Sequence, residues 1–146
     1  MINLLVLKET LESEKRVALV PDEIKKYFDL GFKVTIEKDA GMEAGFLNED
    51  YRKYNANISQ NVKKSIKESN IIIKIQKPEP DIIKEMKTGT ILIGLLSPKK
   101  SSSENVLYNK KKISAFALEN IPRITRAQDK DVLSSQSNLA GYKAVL

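Results

Sequence analysis

Residues 21–37 read PDEIKKYFDLGFKVTIE, and this stretch decides the class of fold. Pro21 fixes φ at a value that suits a helix start and lacks only an N–H that the first turn leaves unpaired anyway. Asp22 and Glu23 occupy that first turn, Ile24, Tyr27 and Phe28 recur at helical spacing, and Gly31 is a stop signal. Phe32-Lys33-Val34-Thr35-Ile36-Glu37 then alternates as a strand should. Upstream, Asn3-Leu4-Leu5-Val6-Leu7 reads as a buried first strand. Strand, helix, strand in that order is a β-α-β unit, which implies parallel strands joined by a right-handed crossover.

Downstream the pattern repeats. Asn70-Ile71-Ile72-Ile73-Lys74-Ile75-Gln76 is a strand closed by Lys77-Pro78-Glu79-Pro80, and Ile91-Leu92-Ile93-Gly94-Leu95-Leu96 is another, closed by Ser97-Pro98. Ile113 to Leu118 is nearly continuous apolar sequence ended by Pro122, as expected for a strand covered on both faces of a parallel sheet. Helical signals fall between these runs: Asn48 to Tyr54, a face marked by Val62 and Ile66 and ending near Ser69, a short segment with Ile82, Ile83 and Met86, and a segment with Val106 and Leu107. Ser101 to Ser103 can cap that last segment, and Lys110 to Lys112 suit the dipole at its end. The expected architecture is an α/β open sheet of about five strands, mainly parallel, with helices on both faces.

Composition narrows the chemistry. A length of 146 residues fits one domain with a real core. The sequence has no Cys and no His, so disulfides, thiolate metal sites, His-based triads and His-ligated zinc hydrolysis are not expected. The net charge of +6 is spread in small lysine clusters at Lys63-Lys64, Lys99-Lys100 and Lys110-Lys111-Lys112, which read as solvated helix faces and not as a nucleic-acid surface. Apolar runs stop at about six residues, far short of the roughly twenty that span a bilayer. The N-terminus lacks the pattern of a signal peptide, so a soluble, cytoplasmic chain is expected. Asp39-Ala40-Gly41-Met42-Glu43-Ala44-Gly45-Phe46 bears glycines but is not GxGxxG, and no GxG occurs anywhere. Gly41 and Gly45 are read as turn positions with positive φ.

The most polar segment is Leu118 to Leu146, LENIPRITRAQDKDVLSSQSNLAGYKAVL. From about Asp131 it turns helical, with Leu139, Tyr142 and Val145 or Leu146 three to four apart and Asp or Ser available as N-cap. Polar side chains between the carboxyl end of a strand and a helix N-terminus stand where open α/β sheets bind ligands. The helix dipole and its free N–H groups add attraction for anions or amide oxygens. The plain alternative is a solvated loop with Arg–Asp pairing and capping by Ser134 or Asp131.

These residues also carry a resemblance. Pro122-Arg123-Ile124-Thr125-Arg126-Ala127-Gln128, then Asp131 and Leu133-Ser134-Ser135-Gln136-Ser137-Asn138-Leu139-Ala140-Gly141-Tyr142, resembles the loop and following helix of the alpha subunit of proton-translocating NAD(P) transhydrogenase. The opening, a strand, Lys8-Glu9, a charged loop and Arg16-Val17-Ala18-Leu19-Val20-Pro21, is similar to that shared by this subunit and alanine dehydrogenase. The resemblance implies a Rossmann-like or flavodoxin-like sheet. It also implies an Arg, a Gln, an Asp and a Ser around the nicotinamide of NAD(H), matched by Arg123, Gln128, Asp131 and Ser134. Gln128 and Asp131 are the residues it places closest to catalysis. The charged pair Asp129-Lys130 departs from the family's usual loop.

By the same resemblance, residues 1–133 are the N-terminal domain, and 134–146 begin a helix leading to an NAD-binding domain with the glycine-rich dinucleotide site. The chain reaches Ala144-Val145-Leu146 with no C-cap signal, so little NAD(H) affinity or activity is expected of it alone. NAD(H) is the implied direct cofactor, with NADP(H) on a partner component. The other implied partners are that NAD-binding domain, a second copy of the subunit as a homodimer, and a membrane component that makes the enzyme peripheral. Neither nucleic-acid binding nor direct membrane insertion is expected.

Two other readings stay open. Alanine dehydrogenase catalysis uses a Lys in a KxKEP-like segment and a His after the next strand. Here Gln76 stands in the Lys position within Lys74-Ile75-Gln76-Lys77-Pro78, and Leu95-Leu96-Ser97-Pro98 lacks the His. Arg16 matches that family's substrate-carboxylate ligand, or it holds its loop by pairing with Glu9 or Glu14; the latter is favoured. The other possibility is a non-catalytic interaction domain that keeps the fold.

Overall fold

A computed structural model describes residues 1–98, 103–122 and 124–145, the side chain of residue 129 excepted. Six strands form one sheet: β1 (Ile2–Val6), β2 (Phe32–Glu37), β3 (Asn57–Ser59), β4 (Ile71–Gln76), β5 (Ile91–Leu95) and β6 (Ser114–Ala117). Their order is β3-β2-β1-β4-β5-β6 and every neighbouring pair is parallel. This is the Rossmann order, with its switch point between β1 and β4. The strand that sequence reading missed is β3, where Ile58 is the single apolar side chain in three residues and no periodicity can develop.

The helices are α1 (Ile24–Asp29, entered through a 3₁₀ turn at Pro21–Glu23), α2 (Asn48–Lys53), α3 (Val62–Glu68), α4 (Pro80–Glu85), α5 (Ser103–Lys110) and α6 (Val132–Val145). Ser101 and Ser102, two of the proposed caps of α5, and the Lys99-Lys100 cluster lie outside the described residues. Ile24 of α1 and Tyr51 of α2 pack with Leu4, Val6, Val34 and Ile36 on one face of the sheet. Ile66 of α3, Ile83 of α4 and Leu107 of α5 pack with Leu5, Leu7, Ile72 and Leu92 on the other.

The first face is therefore covered over β1 to β3 and open over β4 and β5, where Ile71, Ile73, Ile75, Ile91, Ile93 and Leu95 are only half-buried. β6 is the sheet's edge, and its Phe116 is 56% exposed. The run at 113–118 is thus not covered on both faces, because an apolar run records what a strand can bury and not what lies over it.

β4 carries a bulge. Ile73 pairs with Ile93 but Gln76 pairs with Leu95, so Lys74 and Ile75 together face Gly94. Gly45 takes the expected positive φ of +86°, whereas Gly41 has φ −90° and is small for another reason. A Cβ on Gly41 would stand 2.5 Å from the Tyr51 hydroxyl oxygen and 2.7 Å from its Cε2. That ring is buried, and its hydroxyl donates to the Leu19 carbonyl at 3.1 Å. Gly41→Ala is expected to lower stability by about 1–3 kcal/mol through overpacking, read as a shift in urea midpoint; an unchanged midpoint would mean that Tyr51 can move aside.

Candidate functional site at the carboxyl ends of the strands

The segment after β6 runs through 3₁₀ turns at Leu118–Asn120 and Thr125–Lys130 before α6 begins. Glu119 ties it to the end of β5, its carboxylate accepting the N–H groups of Leu96, at 3.2 Å, and of Ser97. Asp131 stands immediately before α6 and is 8% exposed. Its Oδ1 accepts the N–H groups of Leu133 and Ser134 at 3.1 and 3.0 Å, and its Oδ2 accepts the Ser134 hydroxyl at 2.6 Å. This is an N-cap in which one carboxylate satisfies the second and third helical N–H groups. Those N–H groups, expected to be free for a ligand, are taken by the chain's own carboxylate.

Of the four residues named from sequence, Asp131 and Ser134 are brought into contact. Gln128 lies in the preceding 3₁₀ turn with its side chain exposed. Arg123 is outside the described residues.

Beside this loop a cleft of about 760 Å³ opens at the carboxyl ends of β4 and β5, next to the switch point. Its floor is the open half of the sheet, with Ile73, Ile75, Ile93 and Leu95, and Val17 and Phe46 form one wall. Val132, Leu133 and Gln136, on the first turns of α6, form the opposite rim. None of the four residues named from sequence lines it; their neighbours on α6 do. Its polar members are Arg16, Lys74 and Gln136.

Arg16 is held by Glu14. Nε donates to Oε1 at 2.7 Å and Nη2 to Oε2 at 2.6 Å, the paired geometry in which a guanidinium binds a carboxylate most strongly. Gln76 Nε2 donates to the same Glu14 Oε2 at 2.7 Å. Of the two loop partners expected for Arg16, Glu14 is the one bonded, and Gln76 is committed to the same cluster. These donors, the Arg16 hydrogen bond foremost, hold the Glu14 carboxyl down at about 2, against an ordinary 4.5.

Because the folded form binds this proton less readily than the unfolded chain, the pair's contribution is present above pH 4.5 and is lost as pH falls towards 2. With Arg16 itself 43% exposed, solvent screening brings the amount to about 2 kcal/mol. Glu14→Gln is expected to flatten that limb of a stability-against-pH profile; equal losses at pH 3 and pH 7 would show that the ion pair is not its source.

Beneath the cleft lies a second polar cluster that sequence reading did not identify. Lys74 is 3% exposed and its Nζ stands 3.5 Å from Glu9 Oε2 and 3.3 Å from Thr10 Oγ1. The Glu9 carboxylate also accepts the N–H groups of Ile75 and Gln76 at 2.6 and 3.1 Å. Strand β1 has ended by that level, so this carboxylate provides the acceptors that the bulged strand lacks. Glu37 accepts the Lys8 N–H at 2.8 Å, and burial pushes its carboxyl up. The available signal was Lys74 itself, a charge inside an isoleucine run, which calls for a buried partner.

Among the described residues no cluster of His, Cys, Asp or Glu has the makings of a metal site, and no helix is long and apolar enough to cross a membrane. The fold and the cleft can be set beside known proteins. Over 149 aligned residues the chain is 40% identical to the first portion of the NAD(P) transhydrogenase alpha subunit of Rickettsia prowazekii, covering 99% of this chain and 39% of that protein. Alanine dehydrogenase 1 of Staphylococcus aureus is 28% identical over 141 residues, covering 97% of this chain and 37% of the relative. The crystal structure of transhydrogenase from Sinorhizobium meliloti superposes with a TM-score of 0.91 at 34% identity, over 98% of this chain and 42% of that one. The chain thus spans about two fifths of the length of these relatives. The sequence profile of the alanine dehydrogenase/PNT N-terminal domain matches residues 5–140, and the chain belongs to that family.

Proposed function

We propose that this domain supplies the nicotinamide-facing loop of the NAD(H)-binding component of an NAD(P) transhydrogenase. The observation that carries the reading is the Asp131–Ser134 lock, which fixes the first turn of α6 beside the cleft and leaves the Gln128 amide exposed in the turn before it. Bound NADH supplies a hydride, which passes with its two electrons to NADP⁺. Such a transfer depends on placement and needs no proton-transferring side chain from the protein. A chain without His fits it.

In this reading Gln128 offers an amide to the nicotinamide carboxamide, Arg123 adds a donor, and Asp131 with Ser134 holds the loop in register. The residues fit the nicotinamide end of the cofactor and not its phosphates. There is no GxGxxG turn, and the Leu133 and Ser134 N–H groups are already bonded to Asp131. The pyrophosphate is therefore held by another part of the enzyme, and a second copy of the subunit, an NADP(H)-binding component and a proton-conducting membrane component complete the proposed assembly.

In the intact subunit, Gln128→Ala is expected to slow hydride transfer by about 10–100-fold. The thermal midpoint should hold, because the side chain is exposed, and the affinity for ADP-ribose should hold with it. Asp131→Asn preserves a cap and should give a smaller loss. Transfer at the parent rate in Gln128→Ala would remove the reading. Alanine-dependent reduction of NAD⁺ would replace it with an amino-acid dehydrogenase, against which the commitment of Gln76 to Glu14 argues.

A further inference from the structure

α6 meets the body of the domain only through its first turns. From Ser134 to Val145 every residue is exposed, with Leu139 at 63% and Tyr142 at 70%. An isolated helix of this length is marginal in water, and tertiary contact has to set its direction. Val132 and Leu133 rest on the rim of the cleft, and Gln136, one turn on, shares that rim. The Gln136 Oε1 accepts a hydrogen bond from Arg16 Nη1 at 3.1 Å. Among the described residues, no other side-chain hydrogen bond joins α6 to an element outside the loop that precedes it.

Arg16 is well placed for such a tie. Its Nε and Nη2 are clamped by Glu14, whose side chain is 5% exposed and is itself held by Gln76 at the end of β4. A guanidinium fixed at one end loses little further freedom in making a bond at the other. The chain β4, Gln76, Glu14, Arg16, Gln136 thus joins the rigid sheet to α6 across the open side of the cleft.

We infer that Arg16 is a positioning residue. Through Gln136 it fixes the direction of α6, and with it the Asp131–Ser134 lock and the turn that carries Gln128. This rests on the reading of that loop as nicotinamide-facing. It gives Arg16 a role in hydride transfer without contact with a reacting atom.

The test uses the intact subunit with Gln136→Ala, Gln136→Glu, Arg16→Lys and the double variant Arg16→Lys with Gln136→Ala. Hydrogen exchange is followed at the amides of Leu133, Ser134 and Ser135, and hydride transfer is measured in parallel. Gln136→Ala is the informative single change, because the residue is exposed and its loss leaves the core intact. It is expected to speed exchange at the three amides about tenfold and to slow transfer with no change in thermal midpoint. Gln136→Glu keeps an acceptor for Arg16 and should restore both. The double variant should be no worse than Arg16→Lys alone. Parent-like exchange in Gln136→Ala, or effects of the two changes that multiply, would overturn the inference. Faster exchange with transfer at the parent rate would leave Arg16 as the tie that fixes α6 and remove the nicotinamide reading of the loop.

Discussion

Replacing Gly94 by alanine is expected to be the most damaging single change in the domain. A Cβ at this position would lie 2.2 Å from the carbonyl oxygen of Lys74, and 3.3 and 3.4 Å from the Lys74 carbonyl carbon and the Ile75 oxygen. These are backbone atoms, so no rotamer change relieves the overlap. The approach is close because β4 spends two residues, Lys74 and Ile75, where β5 spends one. Accommodating a methyl group would mean parting the two strands at the floor of the cleft. The expected loss exceeds about 4 kcal/mol, the range reserved for a failure of this kind. That is a large share of the roughly 5–15 kcal/mol that holds a domain together. Circular dichroism with urea titration reads it directly. A variant within about 1 kcal/mol of the parent would mean that the bulge is not as drawn.

The second large effect is expected from the pair beneath that bulge. Lys74→Met leaves the Glu9 carboxylate buried without its cation, and Glu9→Gln leaves the Lys74 ammonium buried without its anion. The side chains are 2% and 3% exposed. Breaking such a pair from one side costs about 3–5 kcal/mol, whereas removing both charges costs much less than the sum. Glu9 also carries two backbone N–H groups, so Glu9→Gln, which keeps one acceptor, should be the milder change. A double-mutant cycle on urea midpoints gives the coupling. Additive losses would show that the two charges do not sustain each other.

Much of the fold could be read from isoleucine-rich runs and helix punctuation, because both are local. Pro21 to Gly31 signals its own start and stop. Asn57-Ile58-Ser59 does not, and it is a strand only because β2 offers it an edge. The exposure of Phe116 was equally invisible, since it depends on what lies over the strand. At the site, the residue types at 128, 131 and 134 stood out as a polar cluster beside a helix start, and the capping role of Asp131 was already a plain alternative. Arg16 and Gln136, however, meet across 120 positions of sequence, and no periodicity pairs residues so far apart. Glu9 and Lys74 are hidden in the same way, although a lysine amid isoleucines announces that some partner exists.

The central claim is that the loop before α6 faces the nicotinamide ring, and a comparison of two ligands on the intact subunit tests it most directly. Amide resonances of Gln128, Asp131 and Ser134 would be followed while the protein is titrated with NADH and, separately, with ADP-ribose, which has the phosphates but no nicotinamide. The account predicts that NADH shifts all three signals and that ADP-ribose leaves them near their free positions. Equal shifts with both ligands, or no shift with either, would contradict it.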